Sequence, residues 1–283
     1  MIIDFHAHTF PDSISEKVIH KLGKLANTFP YTNGSIAGLI ESAHAADIQY
    51  CINLPVATDA NQTSSINDKL IPDAEHLFSQ GIITFGAMHP DYADYKKELK
   101  RLKDAGIKGI KLHPAYQGVD FNDIRFLRIV EWATELGLVT LIHAGIDIGL
   151  YDHNYASVSQ IEDVINQVQP DKLVLAHMGG WAAWDDVERD LAGAPVYLDA
   201  SFSIGPMKTY PDGSVHPYNG IELPDEQFLR ILRKHGAGKV LFATDSPWSD
   251  QSLYVERFQN IGMTKEEQAL FFGENACRLL NLS

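Results

Sequence analysis

Short apolar runs alternate along this chain with longer stretches whose apolar positions recur every third or fourth residue, the two periods that separate strands from amphipathic helices. Residues 4–8, 50–54, 82–87, 107–112, 138–142, 173–176, 196–199 and 239–243 read as strands. The run 138–142 is apolar on both faces, as expected of a parallel strand covered on both sides. Helical spacing fills the intervals, at about 14–22, 35–46, 65–80, 92–104, 124–136, 158–168, 184–191 and 225–235, and three more helices fall at about 252–260, 265–272 and 275–280. Strand and helix alternate eight times, which predicts an α/β protein whose parallel sheet closes into a (β/α)8 barrel. At 283 residues the chain suits one such domain over 1–283, since that architecture takes about 250 residues. The segment 201–224 breaks the rhythm. Its Gly205, Pro206, Pro211, Gly213, Pro217 and Gly220 argue against regular structure, and a loop of that length reads as a lid or binding loop.

The chemistry gathers at the strand ends. On a strand, His6 and His8 point to one face at roughly 6.7 Å between Cα atoms, a spacing at which two imidazoles can share a divalent metal. Asp4 is expected on that same face, as a supporting carboxylate or a structural one. The fifth strand ends in His143, the sixth in His177, and the eighth runs into Asp245. In a (β/α)8 barrel His6, His8, His143, His177 and Asp245 all fall at the face that carries the active site. Lys111 and His113 share a face at the end of the fourth strand, and Trp181 and Trp248 stand in loops beside the sixth and eighth.

Charge and cysteine content narrow the classes of partner. Asp and Glu outnumber Lys and Arg by 37 to 23, and the resulting charge of −14 makes phosphate-backbone binding unfavourable. Nucleic acid is therefore excluded, and a small-molecule substrate is expected. Cys51 and Cys277 lie far apart in no metal-binding or redox arrangement, which fits a reducing cytoplasm. No apolar run reaches the roughly 18 residues of a membrane span.

The motifs Asp4-Phe5-His6-Ala7-His8, Gly109-Ile110-Lys111-Leu112-His113-Pro114, Ile142-His143-Ala144-Gly145, Ala176-His177-Met178-Gly179-Gly180, Thr244-Asp245-Ser246-Pro247-Trp248 and Glu274-Asn275-Ala276 occur in this order over nearly the whole chain. In that order they resemble the amidohydrolase superfamily, in the amidohydrolase-related branch that includes the aminocarboxymuconate-semialdehyde decarboxylase-like enzymes. The resemblance implies a slightly distorted barrel with one divalent metal, zinc first and manganese second, held by His6, His8, His143 and Asp245. It places His177 beside the metal as general acid and base, with Asp245 relaying a proton. In some branches a strand-four lysine is carboxylated and bridges two metals, so a second ion is expected only if Lys111 is so modified. Dimers are common among relatives, and a homodimer fits the resemblance.

Lys111, His113, Trp181 and Trp248 are the candidates for touching substrate. Carboxylated substrates call for arginine forks, and every arginine here falls in or beside a predicted helix, with Arg125 nearest the active face. That favours a metal-activated water attacking an amide, ester or lactone. The alternatives are decarboxylation of a carboxylated aromatic or muconate-type compound and an inactive metal-binding barrel. A metal-dependent nuclease with a similar start and end is disfavoured by the negative charge and by the lack of a mid-barrel glutamate.

Overall fold

The computed structural model describes residues 1–211 and 216–282. Among the described residues nine short strands are formed: β1 (Ile3–Ala7), β2 (Tyr50–Asn53), β3 (Ile82–Thr84), β4 (Gly86–Ala87), β5 (Gly109–Leu112), β6 (Val139–Ile142), β7 (Leu173–Leu175), β8 (Tyr197–Asp199) and β9 (Val240–Leu241). All pair in parallel, β1 to β3 in one group and β4 to β9 in the other. The third stave of the barrel is broken at Phe85, which splits the expected strand 82–87 into β3 and β4. Phe85 N still donates to Asn53 O (3.0 Å), so the stave remains attached to β2. At the other seam Phe5 N donates to Phe242 O (2.9 Å), Asp245 N to His6 O (2.8 Å) and His8 N to Ser246 O (2.7 Å). These bonds carry the ring of eight staves round from β9 to β1, giving the (β/α)8 barrel.

Strand periodicity sorts the apolar side chains into two layers. Ile3, Phe5, Ile52, Leu54, Ile83, Phe85, Leu141, Val174 and Leu241 fill the interior, while Cys51, Ile82, Ile110, Leu112, Ile142, Leu175 and Val240 lie under the helices. Gly109 belongs to the interior set because nothing larger fits. A Cβ there would sit 2.6 Å from the Phe85 ring and 2.6 Å from Val139 O. With Ile110 and Leu112 outward, Lys111 must point inward, and it is 1% exposed.

The register slips between Asp4 and Ala7 of β1. The slip breaks the alternation, so Asp4 does not share the face of His6 and His8. Its carboxylate turns to the helical layer and accepts from Gln251 Nε2 (2.7 Å), Thr244 Oγ1 (2.5 Å), Thr244 N (2.9 Å) and His6 N (3.2 Å). Segment 201–224 has no helix or strand among its described residues, and 212–215, including Gly213, lie outside them.

Candidate active site

His6, His8 and Asp245 converge where β1 meets the end of β9. His6 Nε2 and His8 Nε2 are 3.1 Å apart, and Asp245 Oδ1 lies 3.6 Å from the first and 3.3 Å from the second. The far side of each ring fixes its tautomer. His8 Nδ1 sits 2.8 Å from the carbonyl of Leu54, which can only accept, so the proton is on Nδ1 and the Nε2 lone pair faces inward. His6 Nδ1 lies 2.9 Å from Asp199 Oδ2, with the same consequence. Two lone pairs and a carboxylate oxygen therefore point at one another. Among the described residues only Lys111 Nζ, 3.1 Å from His6 Nε2, offers a donor. A cation or an added proton reconciles this cluster, and a divalent ion taking two imidazoles and a carboxylate fits the donor set.

His177 and Asp245 both hold left-handed backbone conformations, with φ of 59° and 65°. Such residues cost energy and persist where surrounding bonds enforce them. At Asp245 the enforcement is the bond from its own N–H to His6 O, together with Asp4 gripping Thr244 next door. Asp199 does the same for the histidines. Its Oδ1 accepts from the backbone N–H of His177 (3.2 Å) and of Ser201 (3.0 Å) and from the Ser201 hydroxyl, while Oδ2 takes His6 Nδ1.

His143 and His177 stand together, Nδ1 to Nε2 at 3.0 Å. His177 Nδ1 is held by Ser201 O (2.9 Å) and His143 Nε2 by Ile146 O (3.3 Å), so here too the inward nitrogens face each other as lone pairs. His143 belongs by distance to a second group with His113 and Asp147. The two rings stack at 4.3 Å and 14°, with Asp147 Oδ2 3.6 Å from His113 Nε2 and 4.0 Å from His143 Nε2. That group is chemically different. His113 Nδ1 accepts from Tyr116 N (3.4 Å), which puts the proton on Nε2, facing Asp147. It reads as an electrostatic cluster, with the His113 proton directed at the Asp147 carboxylate.

Burial sets most of the protonation states. It pulls His6 and His143 well below the usual imidazole range and lowers His177 as well, with Lys111 adding to each effect. Burial likewise lowers Lys111 to about 8 against the pull of Asp199, Asp245 and Asp147, and raises Asp147 to about 6. At Asp245 burial acts upward, but His6, His8 and His177 outweigh it and hold the carboxyl below its ordinary value.

His6, His8, Lys111, His113, His143, Asp147, His177 and Asp245 open on one cavity of about 1000 Å³, which Trp181 and Trp248 also line. No arginine lines it among the described residues; Arg125 is engaged outside, by Asp91 and Asp123. His153 is likewise a surface residue, 2.6 Å from Asp120. Sequence reasoning passed over Asp199, Ser201 and Asp147. Asp199 carried the same signal as the chosen residues, a polar side chain at a strand's C-terminal end. Asp147 and Ser201 are loop residues with no such mark.

The amidohydrolase family model matches residues 3–282. The chain belongs to the amidohydrolase family. Among solved structures, a 2,6-dihydroxybenzoate decarboxylase bound to 2,6-dihydroxybenzoate superposes with a TM-score of 0.73 at 12% identity, covering 99% of each chain. A dihydroxybenzoic acid decarboxylase from Polaromonas with bound manganese and the inhibitor 2-nitroresorcinol gives 0.72 at 13% identity, covering 99% of this chain and 97% of that one. The 5-carboxyvanillate decarboxylase of Sphingomonas paucimobilis gives 0.69 at 13% identity over 100% and 99%. At such identities these likenesses speak for the fold. No curated protein matches the sequence. Among the described residues no helix is long and apolar enough to cross a membrane.

Proposed function

We propose that this amidohydrolase-family enzyme is a metal-dependent decarboxylase of a small carboxylated substrate, working as a single domain over 1–283 in the cytoplasm. His6, His8, His143 and Asp245 are its metal ligands, His177 and Asp245 its proton-handling groups. The observation that carries the reading is Lys111: a buried amine 3.1 Å from His6 Nε2, at the inner end of a cavity that no described arginine lines. Beside a divalent ion it gives the site two positive centres where a substrate carboxylate would lie. The absence of arginine, which in the sequence spoke for hydrolysis of an amide, ester or lactone, is met by this pairing. The dihydroxybenzoate and carboxyvanillate decarboxylases among the structural neighbours support the same choice.

A divalent ion held by His6, His8, His143 and Asp245 would supply Lewis-acid stabilisation of developing negative charge; the nitrogen and oxygen donors suit zinc, and equally manganese, which one neighbour holds. The chain supplies the rest. Asp199 holds the His6 ring so that Nε2 faces inward, and Ser201 O holds His177 Nδ1 so that its Nε2 does too. Lys111 pairs with the carboxylate. The bond to the carboxylate carbon breaks, CO2 leaves, the bonding pair stays on the substrate carbon, and a proton passed by His177 Nε2 takes its place. Because burial keeps His177 neutral near pH 7, it can take up that proton from water and release it again.

A panel of hydroxylated benzoates and muconates, run beside lactones and amides on zinc- and manganese-loaded protein, tests the reading. CO2 release is expected, falling by about 10²- to 10⁴-fold in His177→Asn with metal content unchanged. Hydrolysis without CO2 release would restore the hydrolase, and full activity of His177→Asn would remove His177 from the mechanism.

A further inference from the structure

The cavity extends outward from His6 and Asp245, and its volume of about 1000 Å³ lies at the top of the range for small-ligand sites, well beyond what a compact carboxylated ring fills. Two apolar stripes stand in its wall among polar residues. Val18 and Leu22 lie four residues apart along helix Ser15–Ala26, with Ile14 at its N-cap four residues earlier, and Ile66 and Leu70 lie four apart along helix Gln62–Ser79; all five line the cavity. Val18, Leu22 and Ile66 are only half-buried and belong to neither hydrophobic core, and Ile14 is 45% exposed. Helix Ser15–Ala26 meets the protein through a different face, burying Ile19 and Gly23. Its second apolar stripe is thus not explained by packing. The cavity joins this stripe without interruption to the ligand cluster and Lys111. Lys21 and Lys69 at the cavity's edge are matched by Asp12 and Asp73, so charge there selects no sign of ligand.

We propose that this stripe-walled channel is a subsite for the apolar tail of the substrate, which is therefore an amphipathic acid: a carboxylate at the His6, His8, Asp245 and Lys111 end and an alkyl extension lying between the two helices. The inference rests on the decarboxylase reading for the position of the acid head, and on geometry alone for the tail. Calorimetric titration of the manganese-loaded protein with the straight-chain series from acetate to octanoate tests it without turnover. Affinity is expected to rise about three- to four-fold for each methylene beyond the first few, the increment of burying a CH2 group. Val18→Glu and Ile66→Glu, at half-exposed positions whose melting temperatures serve as the folding control, are expected to flatten the series. Uniform affinity along the series in the unsubstituted protein overturns the subsite, and it leaves the metal reading standing if acetate binds the loaded protein and not the metal-stripped one. Failure of every acid to bind loaded protein overturns both. A flat series combined with a dimer that Val18→Glu dissociates, seen by light scattering, assigns the stripe to a second copy of the chain and overturns the subsite as well.

Discussion

Two groups of two histidines and one aspartate lie within the same cavity, and by distance alone they are alike. In the first, His6, His8 and Asp245 present lone pairs to one another, because Asp199 and the Leu54 carbonyl hold the protons on the outer nitrogens. In the second, Tyr116 N donates to His113 Nδ1, so the His113 proton is on Nε2, toward Asp147, while His143 Nε2 donates its own proton to the Ile146 carbonyl. The same residue types at the same spacing are poised for a cation in one place and for each other in the other. What distinguishes them is the partner behind each ring. His143 takes part in both: its Nε2 is committed to the second group while its Nδ1, free of a proton, faces His177 and the first.

The comparison is broken or upheld most strongly by metal content. Replacing His6, His8 or Asp245 by alanine is expected to reduce elemental-analysis zinc or manganese from about one equivalent per chain to nearly none, whereas His113→Ala keeps about one. Two equivalents in the unsubstituted protein, or complete loss in His113→Ala, would make the second group a metal site too. A smaller effect is expected at Asp199→Asn, where the amide can offer His6 Nδ1 an N–H in place of an acceptor. Metal affinity measured by chelator competition should fall about 10- to 100-fold, the usual range for the partner behind a ligating histidine. An unchanged affinity would mean that the tautomer is not what makes the first group a site.

The mildest effect comes from a histidine outside the site whose two nitrogens are both matched. His235 donates from Nε2 to Val196 O (2.9 Å) and accepts at Nδ1 from Gly193 N (3.2 Å). Burial lowers its pKa below 6.5, so at acid pH the unfolded chain binds a proton that the folded one refuses. Stability therefore loses nothing from this residue above about pH 6.5 and declines as the pH falls below it, by at most about 1.4 kcal/mol per pH unit for one proton. His235→Gln should make urea-unfolding stability less steep between pH 6.5 and 5. An unaltered slope would show that the buried imidazole is protonated in the fold.

The barrel was legible because its signal is repetitive. Eight apolar runs separated by amphipathic stretches survive a local departure such as the break at Phe85. The residues of the ligand cluster were legible because each ends a strand. Asp4 was misplaced for the opposite reason. Alternation predicts its face only while the register holds, and the slip before Ala7 depends on pairing with β2 and on contacts to Thr244 and Gln251, distant in sequence. Asp147 and Ser201 act through loop geometry, which leaves no period to read. The arginine argument searched for one residue type, whereas on the proposed reading a lysine and a metal ion share the task.

Asp4 bonds to Thr244 across 240 positions of sequence, and His6 and His8 meet Asp245 over nearly the same distance. Contacts of such separation are the last to form as a chain leaves the ribosome. During synthesis the two histidines emerge early and wait, unpaired with their carboxylate, until almost every other stave has been made. On the proposed reading the metal ligands are therefore assembled by the same event that closes the barrel, and loading with metal would report on complete synthesis: a chain stopped before the eighth stave carries most of the fold's sequence and lacks the Asp245 carboxylate.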